Sequence, residues 1–165
     1  NTVSNCDIRD RSDFAGAPLI AIYSDWTNGA HNDSNVIINN NIYNWTGYGI
    51  LLNSNRWIIQ GNSFYQVVPQ LTPLTGIRIN AGGGHIISGN YIGGSAPNAG
   101  GGPLTNLGMS SFTGIQLSVD STVPSSIQGN RITNIMHPVG GNFTGIFITT
   151  GSVNIGTVTR NIIDD

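Results

Sequence analysis

Ile59-Gln60-Gly61-Asn62-Ser63-Phe64, followed by Gly76-Ile77-Arg78-Ile79, decides the fold. In the second stretch apolar residues alternate with others at period two, the mark of a strand with one face buried. In the first, Gly and Asn interrupt the alternation at a corner. The first pattern recurs as Ile87-Ser88-Gly89-Asn90-Tyr91-Ile92 and Ile127-Gln128-Gly129-Asn130-Arg131-Ile132. Looser copies are Ile37 to Ile42, Val158 to Ile163 and Val3 to Ile8, the last with Cys6 in the Asn position. The Gly-Ile pattern recurs at Gly49, Gly114 and Gly145, with a copy lacking Gly at Leu19-Ile20-Ala21-Ile22.

The two patterns alternate strictly, so one of each makes one turn of a coil. The Asn positions Asn40, Asn62, Asn90, Asn130 and Asn161 are 22, 28, 40 and 31 residues apart. Uneven intervals exclude a rigid heptad or propeller blade and fit a solenoid whose strands stack while its turns vary in length. Stacked coils place equivalent residues about 4.8 Å apart. An inward Asn then donates to one neighbour and accepts from the other, forming a ladder of satisfied buried amides. The Gly before it permits a left-handed corner, which Asn tolerates next best, as at Asn5 and Asn39. The reading is all-β: one parallel β-helix segment over 1–165, of about five to six coils.

Composition agrees. Hydrophobic residues make up 38% of the 165 and leave room for a core, while charged residues make up only 8%. All charge is on Arg and Asp; Lys and Glu, both good helix formers, are absent. The formal net charge of −2 comes with no basic run. Nucleic acid is therefore not an expected partner, and neither is an anionic membrane surface. No apolar run is long enough for membrane insertion by a helix. Cys6 is the lone cysteine and is expected to be a small buried core residue.

These repeats resemble the right-handed parallel β-helix of the pectate-lyase-like superfamily, over nearly the whole chain from Val3 to Ile163. The resemblance implies the fold and its right hand. It implies no single activity, since this superfold carries lyases, hydrolases, epimerases, tailspikes and adhesins. Its enzymes act on polysaccharides. The lyases use an Arg or Lys base with Asp-bound calcium on an outer strand face, and the hydrolases use clustered Asp.

The outward row of the Gly-Ile strands is expected to read Ala21, Leu51, Arg78, Gln116, Phe147, where only Arg78 could be a base. The outward rows of the Asn-containing pattern are expected to read Ser4, Ile38, Gln60, Ser88, Gln128, Thr159 and Asp7, Asn41, Ser63, Tyr91, Arg131, Ile162. They hold no carboxylate pair of the kind glycoside hydrolysis needs. The strongest polar cluster is the corner with Asp25, His31 and Asp33. Register brings Asn55 and Arg56 of the next coil beside Asp33, and His85 one coil further. Such a group could do acid–base chemistry, or be an exposed ion pair beside a bystander His.

Asp7, Asp10 and Asp13 are loosely spaced like a calcium loop but lack its turn glycine and terminal acid. No metal site is expected, calcium has no supporting motif, and no cofactor is expected. Gly82-Gly83-Gly84 precedes a strand, so a phosphate cradle lacks its helix. Trp26, Trp45, Tyr48 and Trp57 cluster in the first coils, where rings either stack on sugars or cover the core. Gln60, Tyr91 and Gln128 join Trp26 and Tyr48 as candidate glycan contacts. Three long loops, Gln66 to Thr75, Gly93 to Thr113 and Asn134 to Thr144, leave the same corner. They are expected to wall one side of the Gly-Ile strand face, making a shallow cleft for a linear polymer.

Three functions follow. One is a non-catalytic segment of a large secreted or cell-surface protein, acting as a stalk, adhesin or glycan-contacting scaffold. Its partners would be a polysaccharide or surface glycan and flanking coils of the parent protein. The second is a fragment of a polysaccharide lyase or glycoside hydrolase. The third is a unit that assembles head to tail into a fibre.

Overall fold

A computed structural model describes residues 1–9, 16–25 and 32–164. Most of its strands form three parallel sheets that run the length of a coil, and one further pair of short strands lies in the loops. The long sheet stacks Ile20–Ser24, Tyr48–Leu52, Leu74–Ile79, Phe112–Ser118 and Phe143–Thr150. The second sheet stacks Thr2–Ser4, Val36–Ile38, Ile58–Gln60, Ile86–Ser88, Ser125–Gln128 and Val153–Ile155. The third stacks Asp7–Ile8, Asn41–Tyr43, Ser63–Tyr65, Tyr91–Ile92, Arg131–Ile132 and Ile162–Ile163. Each coil runs long, second, third sheet and returns through a loop.

Inward residues of all three sheets meet in one core, with Ile50, Leu52, Ile59, Phe64, Ile77, Ile87, Ile92 and Ile115 fully buried. Trp45 and Trp57 belong to this core.

The second and third sheets meet at a tight left-handed corner, where Gly61, Gly89 and Gly129 have φ of 64°, 61° and 63°. Asn39 and Asn5 take the same conformation at 56° and 54°. One residue on, the amides form a continuous ladder. Asn90 Nδ2 and its backbone N–H both donate to Asn130 Oδ1, at 2.9 and 3.0 Å. The other Nδ2 hydrogen donates to the Ile59 carbonyl at 2.9 Å. The Asn90 oxygen accepts the same pair of bonds from Asn62. The pattern continues from Asn40 through Asn161.

The glycine of the Gly-Ile pattern has a separate cause. A Cβ on Gly114 would stand 2.6 Å from the Gly145 carbonyl oxygen and 2.8 Å from Ile132 Cδ1. Gly49 and Gly76 face the next strand's carbonyl and Phe64 or Ile92 in the same way. The column is bare because inward side chains of the third sheet fill the space across the core.

The structure corrects three expectations. Cys6 is exposed. Its N–H donates to Asn40 Oδ1 at 3.0 Å while its Sγ turns to the Ser4 carbonyl, so the thiol takes the corner place of an Asn rung and not a place in the apolar core. The outward row of the long sheet begins with Tyr23, not Ala21, since Ile22 pairs with Ile50 and Tyr23 with Leu51. A two-residue slip leaves the buried face unchanged, so alternation alone could not separate the two registers. Thr159 does not follow Gln128 in its row. Val153–Ile155 pairs instead, and Thr157 to Arg160 bulge out beyond it.

A second ladder lies at the corner between the long and second sheets, where Asn1, Asn35, Trp57, His85 and Ser125 stack. The Trp57 N–H donates to His85 Nδ1 at 3.3 Å, and the His85 N–H donates to Ser125 Oγ at 3.2 Å. His85 Nε2 lies 3.2 Å from the Ala81 carbonyl, so the neutral ring with its hydrogen on Nε2 satisfies both contacts.

Burial lowers the His85 pKa below its ordinary value of 6.5, against smaller opposing contributions from the Ala81 carbonyl, Asp120 and Asp33. As pH falls through 6.5 the unfolded chain takes up this proton first. The stabilisation is thus complete above that pH and is lost as pH falls through the lower folded value. A His85→Asn variant keeps an acceptor for Trp57, so its melting temperature should fall less steeply than wild type from pH 7.5 to 5. Equal slopes in a thermal-melt series would refute this role.

Candidate functional site

The long sheet has the longest strands. The central row of its outer face is Tyr23, Leu51, Arg78, Gln116 and Phe147. A parallel row is Tyr48, Thr75, Thr113 and Thr144. Along one side the three long loops stack on one another. Leu104–Thr105 pairs with Ile135–Met136. The Leu107 N–H donates to the Gln70 carbonyl at 2.7 Å, and the Gly94 N–H to the Asn134 carbonyl at 2.9 Å. Asn106 pins the wall to the loop below, donating from Nδ2 to the Thr72 carbonyl at 2.9 Å. Where wall meets sheet, a cleft of about 330 Å³ opens, lined by Leu19, Thr46, Tyr48, Thr72, Pro73 and Thr75.

Arg78 is built into this face. Its Nε donates to Asn80 Oδ1 at 2.8 Å and its Nη1 to the Tyr48 hydroxyl at 3.0 Å. The guanidinium carbon stands 5.3 Å from the centre of the Tyr48 ring. Arg78 and Tyr48 were separate candidates in the sequence and form one unit here. At the N-terminal end of the face, Asp25 accepts from Asn53 Nδ2 at 3.0 Å. Its hydrogen bond with the Tyr23 hydroxyl raises the Tyr23 pKa above 10.0.

The polar corner divides differently. A second cleft of about 240 Å³ is lined by Asp33, Asn55, Arg56, Gly83, Asp120 and Thr122. Asp33 Oδ1 accepts the Asn55 N–H at 2.8 Å, and Asn55 Oδ1 accepts the Gly83 N–H at 3.2 Å. Asp33 is therefore a rung that satisfies the next coil's backbone. Asp25 does not line this cleft. His85 is fully buried on the core side of the corner and cannot reach a ligand. His31 and Trp26, like Asp10 and Asp13, lie outside the described residues. Asp120, which sequence reasoning passed over, enters the cleft from a loop with no repeat pattern to mark it.

The remaining glycan candidates are scattered. Gln60 and Gln128 are on the second sheet and Tyr91 on the third. Gln128 is occupied: its Nε2 donates to the Asn154 carbonyl and to Thr157 Oγ1, and its Oε1 accepts from the Val158 and Thr159 N–H groups. Among the described residues no group of three or more His, Cys, Asp or Glu could hold a metal ion.

Residues 20–165 match the family model described as right handed beta helix region. The chain belongs to this β-helix family. No curated protein and no solved structure matches it. Among the described residues, no helix of the β-helix is long and apolar enough to cross a membrane.

Proposed function

We propose that this β-helix is a non-catalytic scaffold of an extracellular or cell-surface protein, holding a linear glycan along the outer face of its long sheet. The observation that supports it most is the setting of Arg78. Two acceptors and an aromatic face hold the guanidinium in place, and a guanidinium is a permanent cation with several directed donors. That makes it a fixed hydrogen-bond donor, suited to binding. Four spacings of about 4.8 Å give the five-stranded face a length of roughly 19 Å, enough for several sugar units. The loop wall shields one side, Tyr48 supplies a flat ring beside Arg78, and Pro73 adds apolar surface in the cleft that Tyr48 lines.

Arg78→Gln is expected to weaken retention on polysaccharide-containing gels about 10-fold, the scale for losing a charged hydrogen bond. Arg131→Gln, on the third sheet, should leave it unchanged. Equal effects of both variants, or no retention of wild type on any polysaccharide, would overturn the reading.

A further inference from the structure

The cleft around Arg56 lies at the corner opposite the loop wall and plays no part in the proposed groove. In a chain with so little charge, two carboxylates and a guanidinium meet there. Among the described residues the Arg56 side chain makes no hydrogen bond and no ion pair, although Asp33 and Asp120 line the same cleft. The two carboxylates are fixed without it, Asp33 by Asn55 and Asp120 by the Thr122 N–H at 3.0 Å.

Arg56 is also held at a cost. Its φ is 56°, in the left-handed region, at the corner position that Gly84 fills in the next coil with φ 69°. Ser34 takes the same conformation one coil earlier at 59°, so the left-handed turn belongs to the corner, and Arg56 is the bulkiest of the three residues that fill it. Gly83, one residue before Gly84, carries no side chain, so the floor of the cleft is bare backbone. A Cβ there would meet Asp120 Oδ1 at 2.5 Å and the Val123 carbonyl oxygen at 2.7 Å.

We propose that this cleft binds one neutral sugar unit through a pair of vicinal hydroxyls. A simple anion would be opposed by two carboxylates, and a simple cation by Arg56. A hydroxyl both donates and accepts. Adjacent hydroxyls can donate to Asp120 while accepting from the Arg56 guanidinium, and charged partners strengthen both bonds. The volume of about 240 Å³ is below that of a drug-sized pocket and suits a single ring.

The test is an NMR titration of the intact chain with methyl glycosides of glucose, galactose and mannose. At least one is expected to bind saturably in the millimolar range. Arg56→Gly and Asp120→Asn should each weaken that binding 10-fold or more, while Arg78→Gln should not affect it. Loss in Arg78→Gln alone would instead place the sugar in the groove, overturning this site and leaving the groove reading intact. Arg56→Gly should also raise the melting temperature, because glycine relieves the left-handed strain. No binding of any glycoside, binding that survives Arg56→Gly, or a lower melting temperature in that variant would overturn the proposal.

Discussion

Asn90→Ala is expected to destabilise the fold by roughly 3–5 kcal/mol, combining orphaned polar groups with the cavity left behind. The side chain it removes is fully buried and links two neighbouring rungs. Without it the Asn62 backbone N–H and one of its amide hydrogens lose their acceptor, and the Ile59 carbonyl loses a donor. For a chain of this size the loss corresponds to a fall of about 10 °C in melting temperature. Asn41→Ala removes only an exposed bond to Asp7 and should shift melting by a degree or two at most. Similar falls in the two variants would mean that the ladder contributes no more than surface polarity.

Gly114→Ala should cost about 3 kcal/mol, the upper part of the range for overpacking a filled core. The added Cβ meets the Gly145 carbonyl oxygen at 2.6 Å. That oxygen belongs to the neighbouring strand and cannot retreat without disturbing the pairing of Phe112–Ser118 with Phe143–Thr150. The informative contrast is Gly89, whose Cβ would meet nothing within 4 Å. Its only constraint is a φ of 61°. Gly89→Asn should be nearly neutral, because Asn39 occupies the equivalent corner at 56°. Chemical denaturation of both variants separates the two kinds of glycine. A neutral Gly114→Ala would show that the strand column tolerates a methyl group and that its glycines serve another end.

These contrasts show what sequence can carry. Asn62, Asn90 and Asn130 were legible because each repeats with the same neighbours, and repetition reports a stacked environment. The bare column at Gly49, Gly76 and Gly114 was visible as a pattern, but its cause lies in Phe64, Ile92 and Ile132 across the core. The row of Asn35, Trp57, His85 and Ser125 was not legible, since its residues are unlike: His85 and Ser125 accept the neighbouring coil's backbone N–H through their side chains, while the Trp57 indole N–H goes to Ser54 of its own coil. The start of the long sheet was misplaced by two residues because Leu19-Ile20-Ala21-Ile22-Tyr23 alternates equally well in either register. In the candidate sites, register alone brought Asp33, Asn55 and Arg56 together. It could not show that His85 turns into the core, that Gln128 is spent on its own loop, or that Asp120 returns to the same cleft. Those outcomes depend on side-chain direction and loop path, which no period encodes.

The most direct test of the scaffold reading is the size profile of a polysaccharide panel, acidic and neutral, after incubation with the intact chain. The account predicts that at least one polymer co-migrates with the protein at its original length. A shift of any polymer to shorter fragments, abolished by Arg78→Gln or by Asp120→Asn, would contradict it and make the chain an enzyme.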